Sequence, residues 1–190
     1  MKVNREITGR FSAAIALGAF WLFAGFMLRL VLLIYSADQI VAGPVELIKV
    51  FAAGLVFDAA VAGQGLLPLL LYLAAVPRRF FNTRWNKAFI LLIVWSSAAG
   101  LLLLSVTEAY FWAEFQARFN FIAVDYLVYT QELLGMIREG YPVKTVFAGI
   151  AAVATLITLL FYGKCLRWDD TASLRGRMTV AIAGLVFPFE

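Results

Sequence analysis

Between Phe11 and Tyr35 the chain runs for 25 residues with one charged side chain, Arg29. A helix rises about 1.5 Å per residue, so such a run can cross a hydrocarbon layer of roughly 30 Å. It is too long for a signal-peptide core, and Arg29 would interrupt one. Comparable runs follow at 51–76, 88–106 and 143–162, and a shorter one starts at Met178. Lipid offers no water to exposed backbone groups, so runs of this length are predicted to be helices.

Composition points the same way. Of the 190 residues, 63% are hydrophobic and 15% charged, and the mean hydropathy is +0.88. Soluble domains lie nearer half apolar and a quarter charged. A sphere of this size in water could not cover so much apolar surface, and disorder needs the opposite composition. There is no His, and Cys165 is the single cysteine. A Ser-His-Asp triad, a Cys–His dyad, the usual zinc sites and an internal disulfide therefore cannot be assembled from these residues. No phosphate-binding loop, dinucleotide fingerprint or nucleophile elbow occurs. Asp169 and Asp170 are adjacent and would point different ways on a helix. Among Lys164, Arg167 and Arg175 they read as surface charge balance.

The loops set an orientation. Lys2, Arg5 and Arg10 precede the first run; Arg78, Arg79, Arg84 and Lys87 follow the second; Lys164, Arg167, Arg175 and Arg177 follow the fourth. The intervening loops are poor in basic residues. By the positive-inside rule the N-terminus is cytoplasmic, and the net charge of +4 reflects topology, with no nucleic-acid partner implied. The expected fold is an all-α integral membrane domain over residues 1–190, multi-pass in a bacterial-type inner or cell membrane. It comprises four complete transmembrane helices (about 11–35, 51–76, 88–106 and 143–162) and part of a fifth (178–190). That fifth run is about half the length a span needs, so the chain reads as truncated within it.

Within the spans, polar residues stand out. Arg29 and Asp58 lie at similar depth, each roughly 10 Å below the outer surface. An unpaired charge there costs about 2.5–3.5 kcal/mol on insertion scales, so an intramembrane Arg29–Asp58 pair between adjacent helices is expected. The other option is that Arg29 snorkels outward while Asp58 meets a water-filled pocket. Gln64, between Gly63 and Gly65, is expected to bond a neighbouring helix, and Ala14 with Gly18 forms a small-xxx-small face. Gly54, Gly63, Gly65 and Pro68 loosen the second helix, which membranes tolerate.

Residues 107–142 are too polar to span and too apolar to float free. Tyr110, Phe111, Phe115 and Phe119 recur at helical spacing, and a second helical pattern runs from Val124 to Arg138, closed by Gly140 and Pro142. The expectation is two amphipathic helices along the outer membrane surface. Composition favours an anchoring role. A sharper reading is a platform that holds a lipid headgroup, with Glu114, Arg118, Asn120, Asp125 and Tyr126 as its polar groups.

This segment resembles the external segment of the lipoteichoic-acid-synthase-like phosphoglycerol transferases, in the alkaline-phosphatase/sulfatase superfamily. The matching residues are Glu114, Phe115, Arg118, Phe119, Asn120, Ile122, Ala123, Val124, Asp125, Tyr126, Leu127, Tyr129, Thr130, Glu132, Tyr141 and Pro142. Arg29 and Asp58 also fit the family, and the layout of spans matches over the whole chain. The resemblance implies five spans followed by an external catalytic domain, which would lie beyond Glu190. In the family a Thr nucleophile activated by a divalent metal transfers glycerol phosphate from a phospholipid. Neither that Thr nor its metal ligands can be placed here, so no catalytic residue is carried over and no cofactor is expected in this chain. The implied role is a membrane anchor that presents a membrane phospholipid to the catalytic domain. A non-catalytic scaffold or partner subunit is the alternative, a small transporter a third, and a sulfatase or phosphoethanolamine transferase a variant within the superfamily.

Overall fold

The computed structural model describes residues 9–37, 43–115, 142–164, 166, 168 and 176–180. The named elements are all helices: α1 (Ser12–Tyr35), α2 (Pro44–Ala75), α3 (Arg78–Phe81), α4 (Arg84–Phe115) and α5 (Val143–Lys164). Among the described residues, three helices are long and apolar enough to cross a membrane: Ser12–Tyr35, Arg84–Ala113 and Val143–Gly163. α2 is 32 residues long and carries Glu46, Lys49, Asp58 and Gln64 within its length.

Helix ends differ from the apolar boundaries for local reasons. α2 starts at Pro44, well before the apolar run at 51. Proline is pre-set for the first helical position, Glu46 suits the positive end of the helix dipole, and Leu47 N–H already donates to Gly43 O at 3.2 Å. The helix ends at Ala75, ahead of Pro77, because the residue before a proline is pushed into extended backbone. α4 starts at Arg84, where Thr83 Oγ1 accepts from Asn86 N–H at 3.3 Å. It does not stop at residue 106. The Ser105 and Thr107 hydroxyls donate to Leu101 O and Leu103 O, each at 2.8 Å, so these polar residues are satisfied without breaking the helix. Residues 107–115, expected to open a separate surface helix, instead continue α4. The remainder of that external segment, 116–141, and the end of the fifth run, 181–190, lie outside the described residues.

The chain divides into two compact units, Met1–Val94 with Thr158–Glu190, and Trp95–Ile157. In the first, α1 and α2 run antiparallel: Gly18 meets Leu66, Trp21 lies on Gly65, and Arg29 reaches Gly54. Ala14, Leu17, Leu69 and Leu73 are buried along the same seam, joined by Phe81, Ile90, Val94 and Leu166. Helices in lipid gain little from hiding apolar surface, because the solvent is itself apolar. Close van der Waals fit and internal hydrogen bonds hold them instead, and small residues at the seam permit both. Pro68 sits inside α2 and removes the hydrogen bond that its N–H would give to Gln64 O.

The last carbonyls of α2 have no intrahelical donors. Two arginines supply them. Arg10 Nε donates to Leu73 O at 2.5 Å and its Nη2 to Val76 O. Arg177 Nε donates to Ala74 O at 2.8 Å and Nη2 to Val76 O at 2.9 Å. Arg10 also lies 4.7 Å from the centre of the Phe81 ring. Positive charge at the negative end of a helix dipole adds to the effect.

In the second unit, α4 and α5 contribute the fully buried Ala98 and Ala154. Trp95 Nε1 donates to Thr155 Oγ1 at 3.0 Å, and that hydroxyl donates to Ala151 O at 2.7 Å. A groove of about 210 Å³ beside them is lined by Trp95, Ala99, Leu103, Phe147 and Ile150.

Candidate functional site at the Arg29 and Asp58 pair

Arg29 stands on α1 and Asp58 on α2. The Arg29 side chain is 8% exposed and that of Asp58 23%. Arg29 Nη2 lies 2.6 Å from Asp58 Oδ1, and the same nitrogen donates to Gly54 O at 2.8 Å. One guanidinium nitrogen, with its two N–H bonds, thus answers both the carboxylate and a helix carbonyl.

Two glycines make room for the pair. A methyl group added at Gly54 would collide with the Arg29 guanidinium, and one added at Gly25 would collide with the Asp58 carboxylate. Gly25 precedes Arg29 by four residues, and Gly54 precedes Asp58 by four. Each charged side chain therefore lies across the glycine one turn before the opposing charge. Because the helices are antiparallel, the arrangement is reciprocal. Asp58 Oδ2 is buried without a conventional hydrogen-bond partner, as is Trp21 Nε1. The Oδ2 atom faces Gly25, in the space that a Cβ there would take.

Beside the pair lies an apolar groove of about 420 Å³ lined by Phe26, Leu47, Ile48, Phe51, Ala52 and Leu55. Phe26 and Phe51 meet edge to face at 5.3 Å. Phe26 is three residues before Arg29, and Leu55 three before Asp58, so groove and pair share one face of each helix.

No family model, curated protein or solved structure matches this chain.

Of the residues expected to matter, Arg29 and Asp58 come together. Glu114 is the penultimate residue of α4, and its side chain is outside the described set. Arg118, Asn120, Asp125 and Tyr126 lie wholly outside the described residues. Gln64, expected to bond a neighbouring helix, is on the exposed face of α2, because Ala62, Leu66 and Leu69 take the inward positions. Gly65 next to it permits the close approach instead, to Trp21. Sequence reasoning overlooked Gly25 and the part of Gly54 in the pair; the shared glycine-to-charge spacing was the available signal. It also overlooked the inward-turned Arg10 and Arg177, which as basic loop residues look solvated. Among the described residues no cluster of three or more acidic or sulfur ligands could hold a metal ion.

Proposed function

We propose that this chain is the membrane anchor and lipid-presenting domain of a phosphoglycerol-transferase-like enzyme of the cell envelope, with its N-terminus in the cytoplasm. The observation that carries the anchoring part is the inward resolution of charge. Arg29 is consumed by Asp58 and Gly54 O, while Phe23, Val31, Ile34, Phe57 and Val61 face outward. That is the reverse of a water-soluble surface and suits lipid. α2 pairs with α1 from Leu66 to Gly54, so it shares the environment of α1 and serves as a fourth span in this reading.

The lipid-presenting part is supported by the groove at Phe26 and Phe51, whose apolar lining suits an acyl chain. The transferase part is supported by the resemblance at about residues 108–142. A scaffold or partner subunit without catalysis would use the same packed pair, and it is the second reading.

Two experiments separate them. An immunoblot of source cells against the N-terminal residues should give a band well above 21.1 kDa if a catalytic domain is attached. In that full-length protein, Arg118→Ala and Asp125→Ala should reduce turnover of the lipid donor at normal expression. Unchanged turnover would leave the segment as an anchor.

A further inference from the structure

We propose that the segment from the end of α2 through α3 to the first turn of α4, residues 77–87, binds anionic phospholipid headgroups. The inference rests on the membrane reading above and adds a ligand class and a site to it. Charge is the first argument. No Asp or Glu occurs between Asp58 and Glu108, whereas this segment carries Arg78, Arg79, Arg84 and Lys87. Arg79 and Arg84 are exposed, and Lys87 Nζ sits 5.1 Å over the Trp168 ring. The buried Arg10 and Arg177 lie at the same end of α2 and add positive charge there.

The second argument is the frame. Phe81 is 1% exposed and anchors the segment under Arg10. Asn86 Nδ2 donates to Phe81 O at 2.7 Å, and Tyr72 Oη donates to Asn86 Oδ1 at 2.5 Å. Thr83 caps α4 while its hydroxyl donates to Phe80 O at 2.7 Å. A segment tied at both ends fixes the backbone from which its outward side chains extend, which lowers the ordering needed on binding.

The third argument is what it holds out. Trp85 is 88% exposed and Phe80 55%. In water that exposure is unfavourable. At a membrane interface an indole has an apolar body for the acyl boundary and an N–H for the headgroup layer. Flanking arginines present forked donors that match a phosphate. Basic residues on both sides of an exposed tryptophan thus select a negative headgroup in the layer where the ring resides.

Trp85 supplies the readout. The chain is reconstituted in vesicles of equal parts phosphatidylserine and phosphatidylcholine, with bromine on the acyl chains of one lipid or the other. The Trp85 contribution is the fluorescence difference between wild type and Trp85→Phe. One basic residue favours an anionic surface by roughly fivefold, so brominated phosphatidylserine should quench that contribution at least about twofold more strongly than brominated phosphatidylcholine. Arg79→Gln with Arg84→Gln should equalise the two lipids, and Arg79→Lys with Arg84→Lys should keep most of the preference. Salt should abolish the preference in wild type, a test that needs no variant to fold. Equal quenching by both lipids in wild type at low salt would overturn the headgroup site and leave the membrane reading standing. Absence of quenching by either would overturn both.

Discussion

Arg29 and Asp58 meet at 2.6 Å across antiparallel helices, and each lies over the glycine one turn before the other. The pair is thus a feature of two helix faces, built from Gly25 with Arg29 and Gly54 with Asp58. Charge buried in this way is costly unless the geometry is good. The glycines provide that geometry by removing the atoms that would hold the side chains apart.

Reciprocity predicts the outcome of a charge swap. Arg29→Asp or Asp58→Arg alone leaves two like charges together and should destabilise the domain by roughly 3–5 kcal/mol. The double variant places each new side chain over a glycine and should recover more than half of that loss. Unfolding by denaturant in detergent micelles measures it. No recovery in the double variant would show that the pair does not hold these helices together.

The glycines should respond by position. Gly25→Ala and Gly54→Ala force the ion pair aside and should each cost about 1–3 kcal/mol, the range for overpacking. Gly100→Ala and Gly149→Ala meet nothing within 4 Å. They should be neutral or stabilise by about 0.5–1 kcal/mol, since alanine is the better helix former. Thermal midpoints of the four variants give the comparison; a uniform loss would contradict it.

Arg10 should resist conservative replacement. It meets Leu73 O, Val76 O and the Phe81 ring at once. Lysine offers a point charge without the planar fork. Arg10→Lys should therefore lose about 1–3 kcal/mol, as expected when hydrogen bonds to a charged group are removed. Hydrogen exchange at the last turn of α2 should rise in parallel, and unaltered exchange would place the stabilisation elsewhere.

Trp95 and Thr155 give a pairwise test in the other unit. Their hydrogen bond, 3.0 Å long, should show a coupling of about 0.6 kcal/mol in a cycle of Trp95→Phe and Thr155→Val, the usual size within membranes. Strict additivity of the two variants would mean that the bond contributes nothing.

Much of this was legible in the residues. The apolar runs located α1, the body of α4 and α5, because a span must satisfy its own backbone and therefore shows as unbroken hydropathy. Similar depth was enough to suggest Arg29 and Asp58 as partners. Helix limits were less legible. Pro44 and Thr83 start helices by local chemistry that hydropathy ignores, and Thr107 failed to end one because its hydroxyl bonds back to Leu103 O.

The sequence by itself determined the apolar character and the helical class, since runs this long and apolar suit lipid and no open strand survives there. It also confined charge to a few places. Only the tertiary structure decided how those charges are used. Whether Arg10 faces water or the end of α2, and whether Gly25 is a spacer or a seat for Asp58, depends on which faces of two helices meet. That choice is made by steric fit between residues tens of positions apart, such as Trp21 on Gly65 and Gly18 on Leu66. Periodicity within one helix does not record it, because in lipid both the inward and outward faces are apolar.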